Sequence, residues 1–319
     1  MILAAGLGTR LRPLTDIVPK PLVPVANQPL IRYTLALLER AGVREAAINL
    51  HHLGEQIRSE LGERAGRIAL TYSPEREILG TGGGVVRMRH FLEGGTFLLL
   101  NGDVLSAVDL SAALDFHRCR GFAATMVVRP LPAGAGYTAL EADEADRMVG
   151  FKDLRVEARG RRSACMFCGI HVLEPEVFDF LPDSGFACIN DRAYRAMLGR
   201  GLEIGACPYD GPWFDLGTVE RYLDANLAAL SGQAALGCGF PELDADGVLI
   251  APDARIAPSA RLGPRVAVGE DCVIEQDAWL EDSVIWPHTR IRAGSRLQRA
   301  VAAGDLRVGP VGQERRDPS

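Results

Sequence analysis

The stretch Leu3-Ala4-Ala5-Gly6-Leu7-Gly8-Thr9-Arg10-Leu11-Arg12-Pro13-Leu14-Thr15-Asp16-Ile17-Val18-Pro19-Lys20-Pro21-Leu22 decides how this chain reads. A short apolar run, Ile2 to Ala5, has the character of a strand and ends in Gly6 and Gly8. Glycines let a backbone approach a bulky ligand and expose successive N–H groups. Arg10, Arg12 and Lys20 add fixed positive charge, and a guanidinium can grip phosphate through two hydrogen bonds at once. The stretch therefore reads as a loop that cradles a polyphosphate. It is not the dinucleotide fingerprint, since Leu11 stands where a third glycine would be, and Lys20 does not follow a glycine as in the Walker loop.

Working outward, 319 residues suffice for one large domain or two ordinary ones. A net charge of −6 argues against nucleic acid as a partner, so the phosphate-gripping charges must be local. Lys20 and Lys152 are the only two lysines among 35 basic residues, which singles both out where arginine was the default. Seven cysteines, an odd number in a chain of this size, do not suggest a disulfide framework. Cys165-Met166-Phe167-Cys168 lies in an apolar run and reads as a buried strand pair rather than a metal site. No apolar run approaches membrane-spanning length and no secretory signal precedes the loop, so a cytoplasmic protein is expected. The first strand has almost no lead-in, which reads as a truncated or misassigned start.

Periodicity predicts an alternation of helix and strand: helix Pro29–Ala41, strand Ala46–Leu50, helix Leu53–Leu61, strand Ile68–Tyr72. That rhythm implies a parallel sheet with helices on both faces. Gly80-Thr81-Gly82-Gly83-Gly84 then opens a helix through Phe91, and four glycines in five residues suit close approach to a flat ligand. The apolar run Thr96–Leu100 delivers Asn101-Gly102-Asp103. An acidic residue at the carboxyl end of a parallel strand sits where such sheets bind ligands, so Asp103 is the first candidate for a magnesium ligand. Asp109 is expected to cap the helix after it. From Phe122 onward strands dominate: Phe122–Arg129, Tyr137–Glu141, Met148–Lys152 and Ala164–Val172. Helices are expected at Glu174–Leu181, Ile189–Leu198 and Val219–Leu230. Ile250, Ile256, Leu262, Val268, Ile274 and Leu280 recur every six residues, and after a one-residue deletion the period resumes at Ile285, Ile291 and Leu297. Small residues keep the same step at Ala254, Ala260, Val266, Cys272 and Ala278. Such a period signals a stacked-strand solenoid of about three coils.

The opening stretch as a whole resembles the signature of the sugar-1-phosphate nucleotidylyltransferases, including the mannose-1-phosphate guanylyltransferase and N-acetylmuramate-1-phosphate uridylyltransferase branches. Leu79-Gly80-Thr81-Gly82 resembles the family's base-facing segment, and Trp213-Phe214-Asp215-Leu216-Gly217-Thr218 resembles the string whose aspartate is its second magnesium ligand. The resemblance implies an α/β fold with a Rossmann-like mixed, mostly parallel sheet, followed by a short left-handed parallel β-helix. It implies a catalytic domain over 1–232, a linker over 233–247, the repeat over 248–303 and a disordered polar tail over 304–319. It implies that a sugar 1-phosphate attacks a nucleoside triphosphate and releases pyrophosphate. Arg10 and Lys20 would be catalytic. The nucleoside would lie on Leu3, Ala4, Ala5, Gly6, Gly8 and Thr9 together with Gly80, Thr81 and Gly82. Mg²⁺ would lie on Asp103 and Asp215, and the sugar phosphate near Tyr137, Lys152, Asp153 and Gly169. The last group departs from the family pattern. Tyr137-Thr138 stands for a Tyr-Gly pair, and Phe151-Lys152-Asp153-Leu154 lacks a lysine in register and the proline of Phe-x-Glu-Lys-Pro. Lys152 falls two places before the expected lysine and is expected to share its strand face. The repeat resembles that of the guanylyl-transferring branch, implying GTP with a mannose-type sugar. Uridylyl or thymidylyl transfer, a non-catalytic regulator, and acyl transfer by the repeat are the alternatives. No membrane partner is implied, and the repeat suggests a homo-oligomer.

Lys20→Ala should lower the rate by roughly two to four decades if the ammonium acts on developing charge. A change confined to substrate KM would show that it only binds.

Overall fold

Strands Ile2–Leu3, Glu45–Leu50, Ile68–Pro74 and Phe97–Asn101 are rich in apolar residues, as strands covered on both faces must be. They run parallel: Ile2 lies opposite Ile48 on one side and Leu100 on the other, and Ile48 lies opposite Tyr72. The computed structural model describes residues 1–134, 136–232 and 243–309. These divide into two compact units. One comprises Met1–Gly6, Leu37–Val104 and Val108–Gly211; the other comprises Leu7–Ala36, Leu105–Ala107 and the chain from Pro212 onward. The predicted polyphosphate loop is thus shared between units, with its break after Gly6.

The first unit holds a mixed sheet of eleven strands. Its parallel centre gives way to antiparallel strands, because the long strand Arg162–Leu173 returns alongside Phe97–Asn101, with Ile170 opposite Leu100. Arg162–Leu173 also pairs antiparallel with Leu140–Asp143 and Ala124–Pro130. Ile204–Pro208, which carries no period of its own, adds a parallel strand against Ala124–Pro130. The helix Leu110–Arg120 is capped as expected: Asp109 accepts hydrogen bonds from Ser111 N at 2.9 Å and Ala112 N at 3.1 Å. Two expected helices form with turns other than the α-type, and one strand bound needs correction. The segment after Glu174 is a 3₁₀ helix, Pro175–Phe180. Asn190–Tyr194 forms a π-turn that runs into a short α-helix, Arg195–Gly199. Tyr137 lies in the loop before strand Leu140–Asp143, not on it.

The core of this unit gathers Leu99, Val85, Met88, Met126, Tyr194 and Met197. His171 is buried within it. Tyr194 Oη and its Nδ1 share a hydrogen bond of 2.6 Å, and Phe167 lies against its ring with centroids 4.3 Å apart. Burial drives its pKa down to about 3. Cys165 and Cys168 are buried free thiols, pushed up by burial to about 11 and about 12, so no nucleophilic or metal-binding thiolate arises there.

In the second unit the helix Val219–Leu230 forms over the residues expected, with Thr218 as its N-cap. Tyr222, Leu223 and Asn226 are fully buried on it. Tyr222 Oη donates to Pro24 O at 2.5 Å and receives Trp286 Nε1 at 2.8 Å, while Asn226 Oδ1 accepts from Ala26 N at 2.9 Å. Leu11, Leu14, Val23 and Leu216 complete this core. The hexapeptide period appears as three small parallel sheets, each fed by one strand from every turn. Leu249 lies opposite Ala267, and Ala267 opposite Val284, so the repeat shortens by one residue where the sequence loses one. Eight of the nine periodic residues pack inside, Ile256 through Leu297, whereas Ile250 is exposed. Leu306–Val308, expected to begin a disordered tail, instead pairs antiparallel with Val301–Ala303. Residues 233–242 of the expected linker and 310–319 of the tail lie outside the described residues. The repeat's one histidine, His288, is an exposed turn residue 3.4 Å from Asp271.

An unfolded imidazole titrates near 6.5, and that of His171 near 3 when folded. The unfolded state therefore binds more protons across this window, and stability is lost progressively as pH falls through it. A plot of Tm against pH should show this acid limb and should flatten in His171→Phe. An unchanged limb would assign it to other groups.

Candidate active site

In the first unit the carboxyl ends of the parallel strands meet. Leu3 carries the chain into Ala4, and Ala4 N donates to Asn49 Oδ1 at 2.7 Å. Asn49 Nδ2 donates in turn to Glu75 Oε1 at 2.8 Å, and Glu75 Oε2 accepts from Leu79 N at 3.1 Å. Both Asn49 and Glu75 are buried, so this chain of bonds is held in a low-dielectric setting. It connects the beginning of the polyphosphate loop to the beginning of the glycine segment. Gly102 N donates to Leu3 O at 2.8 Å, and a Cβ at Gly102 would itself stand 2.8 Å from that oxygen. Only glycine lets the two strand ends approach so closely, and half-buried Asp103 is the next residue. Gly169, at a register shift in its strand, lies against Asn101: a Cβ there would be 3.2 Å from Asn101 Cβ. A cavity of about 670 Å³ opens beside the glycine segment, lined by Pro74, Glu75, Arg76, Glu77, Leu79 and Arg87. Pro74 and Leu79 give it an apolar part, and Glu75, Arg76, Glu77 and Arg87 line the rest with charge.

The glycines of Gly80–Gly84 serve the protein interior. A Cβ at Gly83 would stand 2.3 Å from Gly185 O, and one at Gly80 would stand 2.6 Å from Ala187 O. Gly82 N donates to Ala187 O at 2.8 Å and Ala187 N to Leu79 O at 2.9 Å. Thr81 Oγ1 accepts from Ile189 N at 2.9 Å. A packing reason thus stands beside the expectation that the glycines make room for a flat ligand: Gly80, Gly82 and Gly83 admit the backbone of 185–187. Helix Gly80–Arg87 follows from this anchored segment.

Lys152 does not lie on a strand face. Met148–Phe151 and Leu154–Arg155 form a hairpin with Phe151 opposite Leu154, so Lys152 and Asp153 are its two-residue turn. Lys152 has φ +54°, the left-handed region. Its ammonium pairs with Asp191, and Asp153 pairs with Arg195. Lys152 holds the Asp191 carboxyl below its usual range, and Arg195 holds that of Asp153 down at about 2. Tyr137 is half-buried in its loop.

The rest of the polyphosphate loop belongs to the second unit. Gly8 has φ +63°, a conformation other residues resist, and its carbonyl accepts from Thr15 Oγ1 at 2.9 Å. Thr9 and Arg10 are exposed in the 3₁₀ turn Thr9–Leu11, and Lys20 is buried at the start of Lys20–Leu22. Asp215 Oδ2 accepts from Arg221 Nη1 at 2.7 Å. A Cβ at Gly217 would lie 2.9 Å from Asp215 Oδ1 and 3.2 Å from Arg10 Nη1, so this unit brings Arg10, Arg221 and Asp215 to one place. Asp215 is not a helix cap; Thr218 fills that role.

A family model for nucleotidyl transferases matches residues 1–232, and one for the GMPPB C-terminal domain matches residues 245–313. The chain belongs to the nucleotidyl transferase family. UTP–glucose-1-phosphate uridylyltransferase of Synechocystis is 32% identical over 72% of the chain, which spans 63% of that protein's length. N-acetylmuramate α-1-phosphate uridylyltransferase of Neisseria meningitidis is 35% identical over 72% of the chain and 97% of its own length. Mannose-1-phosphate guanyltransferase of Candida albicans is 30% identical over 97% of the chain and 87% of its own. A solved structure of a putative glucose-1-phosphate thymidylyltransferase from Bacillus anthracis superposes with TM-score 0.61 at 20% identity, over 70% of the chain and 92% of its own, and shows the shared fold.

In this nucleotidyltransferase, sequence reasoning missed Asn49, Glu75, Asp191 and Arg221. A signal was present for the first two: each is a polar residue at or just past the end of an apolar parallel strand, where such sheets bind ligands. Asp191 and Arg221 carry no local signal.

Proposed function

We propose that this chain transfers a nucleoside monophosphate from a nucleoside triphosphate to a sugar 1-phosphate. An oxygen of the sugar phosphate forms a bond to the α-phosphorus, the bond to the β-phosphate bridging oxygen breaks, and pyrophosphate leaves with that electron pair. The nucleophile is already an anion, so no general base is required, and catalysis reduces to positioning and charge neutralisation. The observation that carries this reading is the chain of bonds Ala4–Asn49–Glu75–Leu79, which ties together the ends of the parallel strands beside an open cavity, with Asp103 at the neighbouring strand end. Ala4 to Gly8 and Gly80 to Gly82 would face the nucleotide through backbone groups. Arg10 would stabilise the leaving pyrophosphate and Lys20 the transferring phosphate.

The family implies magnesium. Among the described residues no three His, Cys, Asp or Glu side chains cluster, so a protein cage is not on offer. Magnesium takes one or two carboxylates and completes its shell with phosphate oxygens and water; Asp103 of the first unit and Asp215 of the second would each offer it a carboxylate. Bound there, it would neutralise phosphate charge and favour departure of pyrophosphate.

For the substrate pair, GTP with a mannose-type sugar has the support of the GMPPB C-terminal match and of the Candida guanyltransferase, which aligns over nearly the whole chain. The uridylyltransferase relatives support UTP as the second reading. We read the three-sheet repeat as a short left-handed β-helix that joins copies of the chain, and the enzyme as cytoplasmic. Among the described residues no helix is long and apolar enough to cross a membrane.

Purified protein should release pyrophosphate from GTP, UTP, dTTP, ATP or CTP only with a matching member of a sugar-1-phosphate panel, most rapidly for GTP with mannose 1-phosphate, and only with magnesium. No release from any pair would refute the reaction; fastest release from UTP would select the second reading.

A further inference from the structure

Within the second unit the repeat shares one core with the chain that leaves the polyphosphate loop. Val23 and Val25 come from that chain, Tyr222 and Leu223 from the helix Val219–Leu230, and Val284 and Trp286 from the repeat. Apolar burial alone sets no angle of approach, because it has no direction. The polar bonds laid through this core do have direction. An indole N–H can only donate. Trp286 Nε1 donates to Tyr222 Oη at 2.8 Å, which leaves the hydroxyl's own hydrogen for Pro24 O, 2.5 Å away. The two rings meet edge to face with centroids 6.3 Å apart. Tyr222 and Trp286 are 0% and 4% exposed, so water cannot stand in for either partner. Apolar rings at both positions would fill the same space without a buried polar atom, whereas the polar pair specifies one geometry.

A second bond from the repeat reaches the same short strand. Asn27 Nδ2 donates to Val268 O at 2.8 Å. Asn27 lies at φ +62° in the turn that joins Pro24–Val25 to Gln28–Pro29, and Asn226 holds the neighbouring Ala26. Lys20 stands just upstream, at the start of the turn Lys20–Leu22. Val23 N donates to Lys20 O at 3.2 Å, and Leu30 N donates to Val23 O at 3.1 Å, so little slack separates the anchored residues from the lysine.

We propose that the repeat holds the Lys20 turn in its working geometry, with Trp286 as the positioning residue. This rests on the role proposed above for Lys20, and it gives the repeat a part in nucleotidylyl transfer that joining copies of the chain does not supply. The Trp286 N–H fixes the Tyr222 hydroxyl, and the hydroxyl fixes the Pro24 carbonyl. Catalysis by positioning is sensitive to such a link, since a displacement of about 1 Å can cost on the order of a hundredfold in rate.

Trp286→Phe keeps a ring and removes the donor. In hydrogen–deuterium exchange on the full chain, the peptide covering Lys20–Leu30 should exchange faster in this variant, and the peptide covering Glu45–Leu50 should not. In steady-state kinetics kcat should fall roughly tenfold with both KM values unchanged, as for an interaction that matters only in the transition state. Asn27→Gly keeps the left-handed turn, removes the amide and should act in the same direction. Ile274→Val trims a cluster of the repeat separate from the one that holds Trp286, so it should lower Tm and leave kcat unchanged. In a Lys20→Ala background Trp286→Phe should add no further loss, and light scattering should give the wild-type mass for every variant. Four results would overturn the proposal: unchanged exchange at Lys20–Leu30, a kcat as low in Ile274→Val as in Trp286→Phe, a changed mass in Trp286→Phe, or a full further loss in the Lys20→Ala background. If the wild type turns over no sugar phosphate, the reaction falls and the claim on Lys20 with it. If the wild type is active and Trp286→Phe matches it, only the role of Trp286 falls.

Discussion

One buried side-chain amide, that of Asn49, sets the geometry at the carboxyl ends of the first unit's parallel strands. It faces a backbone donor on one side and a carboxylate on the other, and it can satisfy both only if Ala4, Glu75 and Leu79 stand where they do. Away from water each of these bonds is stronger than it would be at the surface, and each unmade bond is correspondingly costly. His51 Nδ1 meets the Glu75 carbonyl at 2.9 Å, and Glu75 N donates to Leu50 O at 2.7 Å, so the backbone of Glu75 is fixed as firmly as its side chain. The result is a fixed arrangement at the ends of the parallel strands, of the kind that the proposed catalysis by positioning requires.

Charge is distributed with the same economy. The chain carries a net −6, and in each unit it sets cations about carboxylates: Arg10 and Arg221 about Asp215 in one, Lys152 about Asp191 and Arg195 about Asp153 in the other. Local positive charge of this kind needs no generally basic surface.

Much of this was legible in the residues because its causes are local. The buried parallel strands, the Asp109 cap and the limits of Val219–Leu230 follow from apolar period and capping chemistry within a few residues. The stacked short strands and the one-residue slip follow from a strict repeat, and they reappear as parallel pairings with a shift in register. What escaped has distant causes. Thr81 receives a bond from a residue 108 positions away, which no window on the sequence contains. Lys152 was read as a strand residue because nothing local announces a left-handed lysine, and its turn is set by the pairing of Phe151 with Leu154. The glycines of 80–84 were visible, but the backbone that demands them lies at 185–187. The polyphosphate loop was read as one object, whereas its two parts fold with different units.

The most direct measurement is the calorimetric affinity of GTP and of UTP for Glu75→Gln, set beside the wild type with Tm recorded for both. The glutamine amide can accept from only one of the two donors that the carboxylate serves, so one buried N–H is left unpaired, at a cost of about 1–3 kcal/mol. If the Asn49–Glu75 bond shapes the nucleotide surface, the better-bound nucleotide should lose roughly tenfold or more in affinity while the protein still unfolds cooperatively. Equal affinity in the variant and the wild type would contradict it.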